Sequence, residues 1–112
     1  MKALFIELPA FTRSWRSYMD DASFQALQEA MMKNPYAGDV IEGTGGLRKL
    51  RFSDSLRQKG KRGGLRVIYF WWEQGRQFWL FTVYTKNEMG NLSAQQKHAL
   101  KALIKHELET RK

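Results

Sequence analysis

The chain has no cysteine, two prolines, two histidines and only 11 acidic residues against 19 basic ones. Without cysteine there is no disulfide, no thiolate metal site and no cysteine nucleophile, which fits a reducing compartment without requiring one. The two histidines, His98 and His106, sit eight positions apart on a predicted C-terminal helix, where they diverge by about 80° and two turns. An acid–base pair or a pair of metal ligands favours i, i+4, so solvated helix-face residues are the plainer reading. No HExxH, G-x-S-x-G or GK[ST] motif occurs, nor a carboxylate-rich loop, which leaves a metal centre, serine catalysis and a P-loop without support. No run approaches the roughly 20 apolar residues of a membrane span. "MKALFIELPAF" is interrupted by Glu7 and followed by no small-residue cleavage site, so it makes a poor secretory signal. The expectation is a cytoplasmic protein with no membrane role, no metal and no small-molecule cofactor.

What the chain does have is apolar substance and positive charge. A length of 112 residues with 43% hydrophobic and 13% aromatic content can build one modest core, so residues 1–112 are expected to form a single domain. The net charge of +8 favours an acidic partner, which charge alone leaves open between nucleic acid, an anionic membrane surface and an acidic protein. That charge is concentrated. From Arg48 to Arg66 lie eight of the 19 basic residues (Arg48, Lys49, Arg51, Arg57, Lys59, Lys61, Arg62 and Arg66) and a single acid, Asp54.

"KALFIEL" (2–8) reads as a strand stopped by Pro9. In "FTRSWRSYM", Phe11, Trp15 and Tyr18 fall at helical spacing. A second helix is expected from Asp20 or Asp21, either able to cap it, with Phe24, Leu27, Ala30 and Met31 inward, ending at Asn34 and Pro35. "PYAGDVIEGTGG" (35–46) is turn-rich and predicted to be a loop. Strands are expected at 47–52, 65–73 and 77–85, the last two forming a hairpin across "EQGR". "LSAQQKHALKALIKHELETRK" closes with a helix opened by a Ser93–Gln96 capping box and lined by Leu100, Leu103, Ile104 and Leu108. The fold class is α+β: a small, mostly antiparallel sheet of about four strands with an N-terminal helical pair and a C-terminal helix.

Strand alternation sorts the charges. With Leu65, Val67, Tyr69 and Trp71 on one side, Arg66, Ile68 and Phe70 share the other, which sets an arginine inside a core strand. Such a charge needs a partner: an anion in a cleft, or an internal salt bridge to Glu7, Glu73 or Glu88. Likewise Arg48 and Leu50 take one face of their strand, and Lys49 and Arg51 the other. "KGKRGG" reads either as a solvated loop or as a basic finger gripping phosphates through Lys59, Lys61 and Arg62. "GTGG" (43–46) precedes no helix start, so it reads as a flexible strand entry rather than a phosphate cradle. "VYTKNEMGNLS" places Tyr84, Lys86, Asn87 and Glu88 where the sheet hands over to a loop. Together these segments predict a concave, cationic surface on one side of a small sheet.

"GTGGLRKLR", "KGKRGGLRVIYF" and "FTVYTKNE", in this order across about residues 35–95, resemble the RelE/HigB superfamily of toxins from bacterial type II toxin–antitoxin systems. The resemblance implies a microbial-ribonuclease-like RelE fold and an endonuclease that cuts mRNA in the ribosomal 30S A site unless a cognate antitoxin, often a helix-turn-helix DNA-binding protein, holds it. It also implies chemistry by basic residues, with the family's strand arginine at Arg66, its preceding-strand lysine at Lys49 beside Arg51, and its basic residue after the last strand at Lys86. The family's C-terminal tyrosine or histidine maps to about Ser93, so Tyr84 becomes the candidate substitute. Attack by the 2′-hydroxyl needs a base, stabilisation of phosphorane charge and a proton for the 5′-oxygen. Arg66 fits charge stabilisation, because its guanidinium holds two phosphate oxygens and stays protonated. Lys86 is favoured as the base, with Lys49 and Glu88 as competitors. Arg48, Arg51, Lys59, Lys61, Arg62 and Asn87 are expected to position RNA. Two readings compete: a non-catalytic RNA-binding module, and an inactive toxin remnant.

Overall fold

The structure is a computed structural model that describes residues 2–53, 64–86, 88 and 92–111. One five-stranded sheet, in the order β1-β5-β4-β3-β2, carries helices on both faces. Its strands are β1 (Leu4–Glu7), β2 (Asp39–Val40), β3 (Arg48–Phe52), β4 (Leu65–Trp72) and β5 (Gln77–Thr85). The helices are α1 (Pro9–Ser14), α2 (Asp21–Lys33) and α3 (Ala94–Arg111).

β4 and β5 form the antiparallel centre, as their density of Val, Ile, Tyr, Phe and Trp predicts for strands covered on both faces. In the connecting turn Arg76, not Gly75, adopts the left-handed conformation, at φ 50°. β1 adds to the far side of β5 in parallel, its register running from Leu4 opposite Gln77 to Glu7 opposite Leu80. The sheet has five strands rather than the four expected. The extra one, β2, comes from the glycine-rich segment read as loop, where Asp39 and Val40 pair with Lys49 and Arg48. Two residues are too short to leave a pattern.

Pro9 stops β1 and opens α1, where its missing N–H costs nothing. The helix is shorter than the aromatic spacing implies, because a 3-10 turn takes over at Trp15–Ser17. Phe11 and Trp15 still reach the core. Asp20 caps α2 by accepting from the Ser23 amide at 2.8 Å, and this bond holds its carboxyl below the usual carboxylate range. Leu27 and Met31 are fully buried against Val67, Tyr69, Phe78 and Leu80. Ala30, expected inward, is exposed, because the buried stripe is centred on 24, 27 and 31 and Ala30 falls beyond its edge.

α3 covers the opposite face, where Ile104 packs with Leu8, Leu47, Ile68, Trp79 and Phe81. Its capping box forms as expected: Ser93 N–H donates to Gln96 Oε1 at 2.8 Å, and Gln96 N–H to Ser93 Oγ at 3.1 Å. Leu103 departs from the predicted stripe and stays 39% exposed, rotated toward α1. Among the described residues, no helix is long and apolar enough to cross a membrane.

Candidate functional site

The register across the sheet builds a row of polar side chains. Arg66 of β4 lies directly opposite Arg51 of β3 on one flank and Tyr84 of β5 on the other. Lys49, two residues before Arg51, shares their face and stands opposite Ile68. This is the α3 face, at the end of the sheet where β5 leaves toward α3. Two arginines opposed across a ladder concentrate positive charge at this end of the sheet. Arg66 is 7% exposed, and its Nη1 donates to the Leu65 carbonyl at 3.2 Å.

Tyr84 is buried beside it at 6% exposure. Burial pushes its phenol above the ordinary value, and the Arg66 charge opposes that rise in part. The phenol is therefore protonated at neutral pH and able to donate. A cavity of about 130 Å³, room for roughly four waters, opens against Tyr84 and is lined also by Ile41, Lys49, Leu92 and Lys97. Among the described residues, no carboxylate lines it.

Lys97, which sequence reasoning missed, reaches the cavity from the first turn of α3. Its signal was present as a period. Lys97, Lys101, Ile104 and Leu108 recur at i, i+4, i+7 and i+11, one helical face that is apolar over the sheet and cationic over the site. The 41–47 turn seats this face. Ile41 N–H donates to the Leu47 carbonyl at 2.8 Å, and the fully buried Thr44 hydroxyl donates to Ile41 O at 2.5 Å while accepting from Leu47 N–H at 3.2 Å. Gly43 and Gly45 flank it in the left-handed region, at φ 81° and 77°. A Cβ added to them would stand 3.8 Å from Lys97 Cδ and 3.4 Å from Lys101 Cγ. "GTGG" is thus an ordered saddle under two lysine stems, not the flexible entry predicted. Thr44→Val should cost about 1–3 kcal/mol, because it strands the buried Leu47 N–H and removes the donor to the part-buried Ile41 carbonyl; a lowered urea midpoint with an unchanged slope would show it.

Other predicted residues have other surroundings. Arg48 lies on the opposite face, where Nη1 donates to the carbonyls of Gly38 (2.8 Å) and Tyr36 (3.2 Å) and the guanidinium stacks 5.0 Å from the Tyr36 ring centre. It ties down the segment leading to β2. The Glu88 carboxylate accepts from Tyr18 Oη at 2.7 Å and from the Thr85 amide at 2.8 Å, so it clasps the turn after β5 to the α1 side. Lys86 is exposed in that turn. Glu7 and Glu73, considered as partners for Arg66, accept from Thr12 (3.2 Å) and Tyr36 (2.6 Å). Lys59, Lys61, Arg62 and Asn87 lie outside the described residues.

No family model matches the chain. Among solved structures, a double mutant of the E. coli toxin RelE in the free state matches with a TM-score of 0.57 at 12% identity, covering 93% of this chain and 98% of that one. The archaeal RelE–RelB complex from Pyrococcus horikoshii OT3 matches with a TM-score of 0.50 at 20% identity, covering 80% of this chain and 100% of that one. The α+β architecture is the RelE fold.

Proposed function

We propose that this chain is the toxin of a type II toxin–antitoxin pair, a metal-independent endoribonuclease that cuts mRNA on the ribosome and is silenced by a cognate antitoxin. The observation that carries this reading is the opposition of Arg51 and Arg66 beside buried Tyr84, on a RelE fold. Two guanidiniums and a neutral phenol on one face, with Lys49 lining the adjoining cavity, are suited to a phosphodiester.

In the proposed reaction the 2′-oxygen loses its proton and bonds to phosphorus, and the P–O5′ bond breaks, leaving a 2′,3′-cyclic phosphate and a 5′-hydroxyl. Arg66 and Lys49 stabilise the charge that builds on the phosphorane oxygens. Tyr84, protonated, supplies the proton that the 5′-oxygen needs. Lys86, reacting as the free amine, takes the 2′-hydroxyl proton and becomes the ammonium. Glu88 acts by holding the turn that carries Lys86, since its carboxylate is already an acceptor for Tyr18 and Thr85. Arg51 orients the strand being cut, and Lys59, Lys61, Arg62 and Asn87 dock the RNA and ribosome.

An antitoxin partner is supported by an open apolar groove of about 560 Å³ between α1 and α3, lined by residues including Leu8, Pro9, Phe81, Leu92, Leu100 and Leu103. An acidic or amphipathic segment suits that groove and the net charge of +8. The decisive experiment is primer extension on mRNA from cells induced to express the chain. Growth arrest with discrete cuts phased to codons is the expected result; intact message would instead mark a module that binds RNA without cutting it.

A further inference from the structure

We infer that the cavity between β3, β5 and α3 is a subsite for one backbone phosphate of the RNA strand, closed from the helix side by Lys97. This rests on the ribonuclease reading for the identity of the strand, and on the local chemistry for the anion. Among the described residues, the cavity lining contains two ammonium groups, Lys49 and Lys97, and the side chain of Tyr84, together with Ile41 and Leu92. Neither lysine forms an ion pair or a side-chain hydrogen bond with another described residue. Both are half-buried, so their charges are partly removed from water. Two partly desolvated cations facing one small space repel each other, and a tetrahedral oxyanion between them replaces that repulsion with charge-assisted hydrogen bonds. A cation would add to the repulsion, and a neutral nucleobase would offer acceptors but no charge to offset it.

The seat of Lys97 is specific. Its amide donates to the Ser93 carbonyl at 2.9 Å inside the capping box, which fixes the residue in the first turn of α3. Its stem passes over Gly43, where a side chain would meet Cδ. Buried Ile104, two turns on, pins the same helical face to the sheet. Lys97 therefore holds a phosphate from above while Lys49 holds it from the strand. The site is completed by a helix that the toxin-like motifs do not include.

The test uses the purified full chain and a labelled 2′-O-methyl RNA decamer, which cannot be cut by 2′-hydroxyl attack. Lys97→Met keeps the stem over Gly43 and removes the charge. It should weaken binding by about fivefold and reduce the slope of log Kd against log[KCl] by about 0.7, with the melting temperature unchanged. Lys97→Arg should restore both quantities. Lys105→Met, which removes the same charge from an exposed position two turns further along α3, should change neither by a comparable amount. The inference is overturned if Lys97→Met and Lys105→Met behave alike, or if Lys97→Arg binds as weakly as Lys97→Met. It is likewise overturned if the wild-type chain cuts message in cells yet shows no affinity for the decamer. The Lys97 signature on the decamer without cleavage of any message sustains the subsite and refutes the ribonuclease reading, so the two fail separately.

Discussion

Arg66→Ala should relieve growth arrest and slow RNA cleavage by roughly 10²–10³-fold, the usual cost of removing one donor aimed at developing charge. The guanidinium sits in β4 between Arg51 and Tyr84, where strands on both sides hold its row in place. Its contribution in the proposed reaction is made as the phosphorane forms, so the loss should fall on the cleavage rate more than on RNA affinity. The melting temperature should fall less than for truncation of a core residue, because Arg66 sits at the N-terminal end of β4 rather than within the apolar cluster that α3 covers. Arg66→Lys should recover only part of the activity, because a point charge cannot hold two phosphate oxygens in one plane. Cleavage in a reconstituted translation system and a thermal melt, run side by side, are the measurements. A variant that stays fully toxic would remove Arg66 from the mechanism.

Trp79→Ala should have the opposite profile, with stability lost first and activity only as a consequence. Trp79 is fully buried on the α3 face of β5. Its ring packs 5.1 Å from Phe70 and 5.8 Å from Trp72, its Nε1–H donates to Gln77 Oε1 at 2.9 Å, and the Arg111 guanidinium lies 5.7 Å from its ring centre. Truncation leaves a cavity under α3 and should cost about 3–5 kcal/mol. That is a large share of the 5–15 kcal/mol a domain of this size commonly has. A fall in melting temperature on the order of 15 °C is expected. Because α3 carries Lys97 and rests on this cluster, hydrogen exchange in α3 should rise further than in α2, which packs on the other face. Equal loosening of α2 and α3 would show that the two faces do not behave as separate layers.

The contrast between these two variants follows from a division already visible in the residues. β4 and β5 were legible because both faces are covered, so nearly every position is apolar and the single charge, Arg66, stands out. Asp20 and the Ser93–Gln96 pair marked helix starts because capping is a bond between near neighbours in sequence. The alternation of β3 placed Lys49 and Arg51 on one face and Arg48 on the other. It did not reveal that Arg48's face is occupied by the Tyr36–Gly38 segment, which takes its guanidinium for structure. The role of Glu88 was equally hidden, since its partner Tyr18 is 70 residues away.

By itself, then, the sequence determined the α+β class, the central hairpin, the helix caps and the cationic character of one strand face, because each depends on contacts within a few residues or on a simple period. Only the tertiary structure decided that β1 joins in parallel beside β5, that β2 forms from a glycine-rich turn, and that Lys97 meets Lys49 and Tyr84 around one cavity. Those facts depend on which distant segments lie side by side. Pairing of that kind is set by burying the whole sheet between α1–α2 and α3, and no local pattern records it.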